Sequence, residues 1–306
     1  MSLISLLRCG LHCLILDINE SMELVSIIIP LYNKENCIEA TLKSVLSQSY
    51  SNFEIVVVND GSKDNSVAVV ESIKDSRIRL INKENEGVSK TRNRGIKETK
   101  GEWILFLDAD DLMCEGCLQA LVDLSDKYPQ ANILSGNFIT RTDKEDIYAS
   151  MLKEVCVIEN PFELIWKKKW NMRLGSFISK KEITPMFAEH MSKGEDVLFC
   201  FDLISNNSVA FTPHIAMIYL RENSSLSKQT GTLEGCMSWN ISFEGVPSYL
   251  KTIYMDTLVK GIVTTLFWNK RVKNGFRLIA KHFISLCKFT PMYICRKLII
   301  ITKVKK

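Results

Sequence analysis

Three aspartates follow a short apolar run in the first half of the sequence. Residues 103–107 have the length and composition of a buried parallel strand, and Asp108, Asp110 and Asp111 come directly after them. Open α/β sheets bind ligands at the carboxyl ends of their strands. Two aspartates spaced two positions apart on a turn can direct oxygen ligands at one Mg²⁺ or Mn²⁺ ion, which usually takes only one or two protein carboxylates. An acidic turn that caps the next helix is the alternative interpretation.

Polar residues also follow other apolar runs of this half. Asp60 precedes Gly61, so its carboxylate could accept a base N–H while the glycine lets a ligand approach the backbone. An Asx-turn is the alternative for Asp60. Arg92 lies in a basic stretch, residues 90–95, at the start of a predicted helix, where helix N-termini and guanidinium groups favour phosphate oxygens. A solvated basic helix face is the alternative for that stretch.

Alternating strands and helices would bring these groups together. The predicted strands cover residues 25–29, 53–58, 78–81 and 103–107. The first predicted helix carries an apolar stripe of Ile38, Leu42, Val45 and Leu46, and the other predicted helices cover residues 66–74, 87–99 and 117–127. We expect Pro30 to end the first strand and Asn33 to cap the first helix. Regular alternation with short loops predicts an α/β fold with a doubly wound, mostly parallel sheet and helices on both faces.

The composition is that of a globular protein whose charge is unevenly distributed. The net charge is +4, and no acidic residue follows Asp256, whereas lysines and arginines continue to the end. The ten cysteines are scattered and no cleavable signal pattern precedes them, which favours a reduced cytoplasmic compartment over a disulfide framework. No apolar run approaches the roughly 20 residues that a membrane-spanning helix needs.

The two ends of the chain differ from its middle. Residues 276–306 interleave apolar residues with eight lysines and arginines, a pattern that suits a basic amphipathic helix in an anionic membrane interface. Helices packed on the folded domain with a solvated basic face are the alternative, and nucleic acid is disfavoured because no recognisable reader motif accompanies the charge. We expect residues 1–21 to be a poorly ordered tail and Met22 to be the natural start.

Four motifs in the first half resemble those of a known family. They are VSIIIPLYN at residues 25–33, VNDGSKD at 58–64, NEGVS with a following RN and glycine at 85–95, and LDADD at 107–111. In this order and spacing, residues 25–135 resemble the nucleotide-binding half of the family 2 glycosyltransferases. That resemblance implies the GT-A fold, which here would carry a mainly helical C-terminal extension.

The resemblance also implies roles for the matching side chains. The expected nucleotide-binding residues are Pro30, Tyr32, Asn33, Asp60, Arg92 and Asp108. Pro30 and Asp60 would flank the nucleobase, usually uracil, and Asp108 would contact the ribose or the metal. Asp110 would ligate the divalent cation, Mn²⁺ or Mg²⁺.

An acidic motif in the second half supplies a candidate base. Residues 193–199, KGEDVLF, resemble the Glu-Asp motif that precedes a helix in these enzymes, in which the aspartate, here Asp196, is the catalytic base. An inverting transfer requires a base on the acceptor hydroxyl, opposite the leaving diphosphate. A plain helix N-cap is the alternative for Asp196. Residues 219–227 resemble the loop that often covers the donor. The expected acceptor or lid residues are Glu195, Arg221 and Ser225.

The sequence therefore predicts a metal-dependent, inverting glycosyltransferase of the hexosyltransferase type. It would move one sugar from a nucleotide-diphosphate donor, a UDP-sugar, to a hydroxyl of an acceptor glycan. The Gln-x-x-Arg-Trp motif of processive synthases is absent from the sequence, which favours single transfers over polymerisation. We expect the acceptor to be a lipid-linked oligosaccharide in surface-polysaccharide synthesis, at the cytoplasmic face of the cell membrane.

Two other functions and a domain division complete the predictions. A nucleotidyltransferase is disfavoured because no glycine-rich phosphate loop follows Val25, and a non-catalytic nucleotide-sugar-binding subunit would lack the metal or base carboxylate. The glycosyltransferase domain is predicted to cover residues 22–230, with a nucleotide-binding half, 22–135, and an acceptor half, 136–230. A helical basic extension, 231–306, would follow it.

Overall fold

A computed structural model of the chain describes residues 23–142, 145–220, 234, 236–268 and 272–304. The predicted N-terminal tail, the predicted start at Met22, and the candidate lid residues Arg221 and Ser225 lie outside these described residues.

Strands and helices alternate through the first half of the chain, as the sequence predicts. The elements are β1 (Val25–Leu31), α1 (Ile38–Leu46), β2 (Phe53–Asp60), α2 (Ser66–Ser72), β3 (Ile78–Lys83), α3 (Val88–Glu98), β4 (Trp103–Phe106), β5 (Leu112–Met113) and α4 (Cys117–Lys127).

The second half begins with short strands and ends in helices. Its elements are β6 (Ile133–Arg141), β7 (Asp146–Tyr148), β8 (Cys156–Ile158), α5 (Pro161–Trp166), β9 (Phe177–Lys180), a 3₁₀ turn (Lys181–Ile183), α6 (Glu195–Ser205), β10 (Val209–Leu220), α7 (Met237–Asn240), α8 (Ser248–Val263), a π-helical turn (Thr264–Trp268), α9 (Val272–Lys281) and α10 (Phe283–Val304).

The strands of the described residues form one mixed sheet. Its order is β3-β2-β1-β4-β9-β6-β10-β5, with β7 paired to β6 and β8 paired to β10. Strands β3, β2, β1 and β4 are parallel to one another, β9 runs antiparallel to both β4 and β6, and β10 is parallel to β6. The predicted α/β fold with a mostly parallel sheet is therefore confirmed.

Alternate side chains of the central strands enter two separate hydrophobic cores. Ile27 and Leu105 point to one face of the sheet, where they share a core with residues of α1 and α4. Ile28 and Phe106 point to the opposite face and share a core with residues of α6 and α8. Successive side chains of a strand point to opposite faces, so strands that are apolar throughout need helices on both sides, and this prediction is confirmed.

The prediction that Pro30 ends the first strand is wrong. Pro30 lies inside β1 and is paired in register with Val58 of β2. Strand β4 pairs with β1 only as far as Ile28, so Pro30 lies where β1 has one neighbour rather than two. A proline without an N–H donor is tolerated in a strand at such an edge position.

The prediction that Asn33 caps the first helix is also wrong. The residue before α1 is Cys37, four positions further on. Asn33 adopts a positive φ of 50° and connects two loops instead. Its N–H donates to the Ser62 hydroxyl at 3.1 Å, and its side-chain oxygen accepts the Lys63 N–H at 2.8 Å. Local hydrogen bonding of this kind competes with helix capping.

The C-terminal helices share a hydrophobic core with the second half of the domain. Leu250, Leu258 and Leu278 are fully or almost fully buried in the core that also contains residues of α6, and Tyr293 packs against it. The packed alternative for the C-terminal segment is thus confirmed for the inward side of these helices. No helix among the described residues has the length and apolar character needed to cross a bilayer.

Candidate active site

The turn after β4 carries the first pair of candidate metal ligands. Asp108 and Asp110 follow the carboxyl end of this parallel strand, next to the ends of β1 and β2. The Asp111 N–H donates to the Asp108 carbonyl at 3.0 Å. The buried hydroxyl of Thr41, on α1, lies 3.0 Å from the carbonyl oxygens of Ala109 and Asp111. Helix α1 therefore fixes the backbone that presents the carboxylates.

Asp110 forms an ion pair with a lysine that the sequence analysis did not single out. The Lys34 ammonium lies 2.5 Å from Asp110 Oδ2, and the two side chains are only 18% and 16% exposed. Lys34 belongs to the loop after β1, and its N–H donates to the Ser66 hydroxyl at 2.7 Å. Its position directly after the VSIIIPLYN motif was the signal that could have identified it.

Arg92 connects the two halves of the site. Its guanidinium group donates to Asp108 Oδ1 at 2.8 Å and to Glu195 Oε1 at 3.2 Å. Arg92 is on α3 and only 4% exposed, and it also lies over the Phe187 ring. Asp108 comes from the strand edge and Glu195 from the start of α6. One buried cation thus holds together carboxylates from the two predicted halves of the domain, residues 22–135 and 136–230.

The rest of the basic stretch on α3 faces solvent. The side chains of Lys90 and Arg94 are 42% and 51% exposed and form ion pairs with Glu86 and Glu98, four residues away in each case. The solvated-face alternative is therefore correct for these two residues and wrong for Arg92. A sequence window of adjacent basic residues cannot separate them, because the helix periodicity turns only Arg92 towards the sheet.

Burial and charge act in opposite directions on the pKa values of this cluster. Burial raises the pKa of Asp108, but the charge and hydrogen bond of Arg92 outweigh it and hold the pKa below its ordinary value. Burial, followed by the negative charge of Asp196, raises the pKa of Glu195 in spite of Arg92. Glu195 therefore gains a proton more readily than Asp108.

Asp196 is not an N-cap. Helix α6 is preceded by Gly194, with φ of 79°, and no side chain caps it, so Glu195 and Asp196 occupy its first turn. Helix α4 likewise begins after Gly116 rather than at an aspartate of the acidic turn. Both capping alternatives are wrong. Asp196 is half-buried, and its negative charge raises the pKa values of Arg92 and Glu195.

The Asp60 carboxylate is held by three donors. Lys83 Nζ lies 2.5 Å from it, and the N–H groups of Glu86 and Gly87 donate to its two oxygens at 2.9 Å each. The Asx-turn alternative is wrong, because the carboxylate bonds this distant loop; the Asn59 side chain accepts the Ser62 N–H instead. Asp60 therefore positions the start of α3, the helix that carries Arg92.

The geometry of Asp60 also determines its protonation. Burial raises the pKa of Asp60, but the hydrogen bonds from Lys83, Glu86 and Gly87 outweigh it, so its pKa lies below the ordinary value. Lys83 was missed in the sequence. The signal lies in the strand register, since β3 pairs with β2 so that Lys83 is directly opposite Asp60.

The remaining candidate nucleotide residues lie at the same sheet edge. Pro30 is in the last part of β1, and Tyr32 and Asn33 follow it in the loop that contacts Ser62 and Lys63 after β2. Tyr32 is 47% exposed, so its ring is available to a ligand. The structure thus brings β1, β2 and β4 ends together, and the roles of these residues stay predictions.

Comparison with known proteins identifies the family of the segment that forms this edge of the sheet. A family model described as Glycosyl transferase family 2 matches residues 26–177, which run from the second residue of β1 to the first residue of β9 and include all the carboxylates of the strand edge. Residues 26–177 belong to this glycosyltransferase family. The resemblance predicted from four motifs is therefore confirmed, and the match extends beyond them to the antiparallel strand β9.

Several bacterial relatives share this glycosyltransferase family segment. The chain is 34% identical to glycosyltransferase GlyA of Streptococcus pneumoniae over 151 residues, 45% of this chain and 22% of that protein. It is 27% identical to glycosyltransferase GlyG of the same organism over 226 residues, 67% of this chain and 73% of that protein. The chain spans only 22–26% of the first two curated relatives that it matches, so their full activities do not transfer to it directly.

Solved structures resemble the chain beyond the family segment. The crystal structure of S. aureus TarS 1–349 in complex with UDP-GlcNAc has a TM-score of 0.61 and 21% sequence identity, and covers 87% of this chain and 74% of that one. The structure of TarS 1–349 with UDP gives a TM-score of 0.59 at 22% identity. At this identity the likeness shows a shared fold, and the GT-A prediction is confirmed.

Proposed function

We propose that this family 2 protein transfers one sugar from a UDP-sugar to a hydroxyl group of an acceptor glycan, with inversion at the anomeric carbon. The observation that carries the proposal is the double ion pair of Arg92, with Asp108 at 2.8 Å and Glu195 at 3.2 Å. It joins the donor side of the site to the helix of the candidate base. The UDP and UDP-GlcNAc bound in the TarS structures support the choice of UDP-sugar.

Asp196 is the proposed base. The acceptor oxygen would form a bond to the anomeric carbon while the bond from that carbon to the diphosphate breaks, and the acceptor proton would move to the Asp196 carboxylate. Asp196 suits this role because it is partly accessible and caps no helix. Neighbouring Glu195, whose pKa is raised, would hold Arg92 and contact the bound sugar or acceptor.

Asp108 and Asp110 are the proposed ligands of a divalent cation, Mn²⁺ or Mg²⁺. Both are hard oxygen donors on one turn, which fits these ions, and donor oxygens and water would complete the shell. The described parts of the chain contain no cluster of three or more His, Cys, Asp or Glu side chains arranged to bind a metal ion. The proposed site therefore has two protein ligands. When bound, the cation would neutralise the departing diphosphate. Lys34 would have to release Asp110, and its ammonium could then approach the phosphate oxygens.

Pro30, Tyr32, Asn33 and Asp60 are proposed to bind the nucleoside. They lie around the ends of β1 and β2, and Tyr32 offers an exposed ring there. Lys83, paired with Asp60, adds a donor beside the acceptor oxygens of that carboxylate. A buried carboxylate and ammonium together can recognise the N–H and carbonyl groups of a uracil edge.

The proposed acceptor is a lipid-linked oligosaccharide used in surface-polysaccharide synthesis, at the cytoplasmic face of the cell membrane. Support comes from the glycosyltransferase relatives in bacteria and from the basic charge of the chain beyond Asp256. The missing processive motif supports one sugar per transfer.

Donor binding tests the proposal most directly. UDP and a panel of UDP-sugars should raise the melting temperature of the wild-type protein in the presence of Mn²⁺, because a ligand that binds only the folded state stabilises it. Asp110→Ala should remove this metal-dependent shift without unfolding the protein. Equal stabilisation of the wild type in excess EDTA would count against the metal assignment.

The reaction products separate this function from the alternative enzyme. A glycosyltransferase releases UDP from a UDP-sugar, whereas a nucleotidyltransferase releases pyrophosphate from a nucleoside triphosphate and a sugar phosphate. Pyrophosphate release without UDP release would overturn the proposal. Metal-dependent UDP-sugar binding with no turnover on any glycan acceptor would favour the non-catalytic binding subunit.

A further inference from the structure

Helices α9 and α10 expose a row of large apolar side chains. We call the side that carries them the outer face, and its apolar members include Val272 (53% exposed), Phe276 (62%), Phe283 (60%), Ile284 (79%) and Ile294 (49%). Cys287 and Cys295 are exposed on the same side of α10. Single exposed apolar residues are ordinary, but several large ones along two successive helices indicate a surface that binds something.

The opposite side of the same helices is apolar as well. Leu278 and His282 are buried, and Leu286, Phe289 and Tyr293 pack against the core of the second half. A helix at a water-exposed surface normally has one apolar side and one polar side. Helix α10 is apolar on both, so its packing on the domain accounts for only one of them.

Positive charge accompanies the outer face. On α9, Val272 and Phe276 are four residues apart, and so are Lys273 and Arg277, so each pair lies along one side of the helix. Lys288 is exposed beside the apolar residues of α10. Arg277 forms an ion pair with Glu234. No acidic residue follows Asp256 in the sequence, so neither helix contributes a negative charge to this surface.

We propose that the outer face of α9 and α10 docks on an anionic lipid bilayer, with Phe276, Phe283 and Ile284 inserted at the level of the headgroups. Apolar side chains flanked by lysines are what an interfacial helix presents to such a membrane. A second copy of the chain is a poorer occupant, because the charged residues that α9 and α10 contribute are all positive, and those of two copies would repel each other. The inference deepens the proposed function and rests on it for its purpose, which is to hold the domain near a lipid-linked acceptor.

Co-sedimentation of the full chain with vesicles tests the docking surface. One set of vesicles is phosphatidylcholine alone, and the other is equal parts phosphatidylcholine and phosphatidylglycerol. The wild type should sediment with the anionic vesicles at low salt and bind them several-fold more weakly at about 1 M salt, where the Debye length is about 3 Å. Lys273→Gln with Lys288→Gln should weaken binding to the anionic vesicles.

A matched pair of double variants tests the apolar contribution. Phe283→Ser with Ile284→Ser should weaken binding to anionic vesicles by at least about tenfold, because the inserted apolar surface is lost. Tyr148→Ser with Met151→Ser removes side chains of comparable exposure, 59% and 73%, near β7 and should leave binding unchanged. Unchanged melting temperatures would show that neither pair of exposed side chains supports the fold.

Three results would overturn the inference. The first is wild-type protein that stays in the supernatant with anionic vesicles at low salt. The second is a Phe283→Ser, Ile284→Ser variant that binds the vesicles like the wild type. The third is a wild-type protein that is a dimer in solution and a variant that is a monomer. UDP-sugar stabilisation, measured on the same preparations, separates the two proposals. Lost vesicle binding with donor binding retained counts against the docking surface alone, and the reverse counts against the proposed function alone.

Discussion

At the scale of single residues, the site is a set of carboxylates, most of which pair with a nearby lysine or arginine. Arg92 is shared by Asp108 and Glu195, Lys34 pairs with Asp110, and Asp60 is held by Lys83 and two backbone N–H groups. A buried carboxylate is costly unless it is paired and hydrogen-bonded. The pairing therefore explains how several acidic groups can occupy one strand edge.

Asp196→Asn keeps the shape of the proposed base and removes its proton affinity. We expect kcat to fall by about 10²–10⁴-fold, the usual contribution of a general base, while UDP-sugar affinity stays nearly unchanged. Steady-state kinetics and donor titration would measure both. Asp202→Asn, an exposed position on the same helix, is the control and should retain wild-type turnover. A fully active Asp196→Asn enzyme would exclude the base assignment.

Asp60→Asn should destabilise the protein by an amount that depends on pH. The folded-state pKa of Asp60 is lowered from its ordinary value of 3.8, so its ionised form stabilises the fold above about pH 4, and that contribution is lost as the pH falls through the lower value. We expect the variant to lose about 1.5–3 kcal/mol in the free energy of unfolding at pH 7 and less in acid. Urea titrations between pH 3 and pH 7 would measure the difference.

A surface carboxylate provides the comparison for that titration. Glu39 is exposed and forms a surface ion pair with Lys43, so Glu39→Gln should change the free energy of unfolding by no more than about 0.5 kcal/mol. A pH-independent loss in Asp60→Asn would mean that its carboxylate does not act in the ionised form.

At the scale of elements, the close packing of α3 on the sheet is what places Arg92. Gly95 lies on the inner side of α3, and a Cβ atom there would be 2.3 Å from Cγ2 of Ile28 in β1. Ile28 is fully buried, so it has no space to move into. The glycine lets the helix approach the strand, and Asp60 fixes the start of the same helix through residues 86 and 87.

Gly95→Ala has two opposing effects on stability, a gain in helix propensity and a clash with Ile28. Alanine gains about 1 kcal/mol over glycine inside a helix, whereas overpacking a tight core costs about 1–3 kcal/mol. We expect the contact to dominate, with a net loss in the free energy of unfolding and weaker UDP binding as Arg92 shifts. Lys97→Ala, at an exposed position of the same helix, should be neutral or slightly stabilising. A stabilised Gly95→Ala protein would refute the packing argument.

At the scale of the whole molecule, the C-terminal helices pack into the core of the second half. Asp256 on α8 accepts a hydrogen bond from Tyr293 at 3.0 Å and forms an ion pair with Lys297 at 2.7 Å, both on α10. Leu258 and Leu278 are fully buried in the same core as α6, the helix that carries Asp196. Packing that reaches the proposed base helix ties the extension to the active site.

Leu278→Ala should destabilise the protein by about 2–5 kcal/mol, because it leaves a cavity in this core. We expect one unfolding transition, shifted as a whole and followed equally by UDP protection and by circular dichroism. Ile284→Ala, on the outer face, should change the free energy of unfolding by about 0.5 kcal/mol at most. Two separate transitions, of which only one moves, would mean that the extension folds independently.

The sequence by itself determined the family, the α/β alternation and the strand edge that carries the polar residues. Apolar runs such as residues 103–107, followed at once by Asp108 and Asp110, define a buried strand and its polar end without any long-range information. The limits of α4 were predicted to the residue. Pro30 did not end the strand, because β1 has only one neighbouring strand at that position. Asn33 did not cap the helix, because it hydrogen-bonds to the distant loop after β2.

Only the tertiary structure decided how the charges are shared. Arg92 meets Glu195 across 103 positions of sequence, and Lys34 meets Asp110 across 76, so no local pattern contains either pair. The outer face of α9 and α10 also could not be identified from the sequence, because the exposure of a side chain depends on which side of the helix packs against the core. Residue types and spacing are local properties, whereas burial, ion pairing and shifted pKa values arise from contacts between distant segments that exist only in the folded chain.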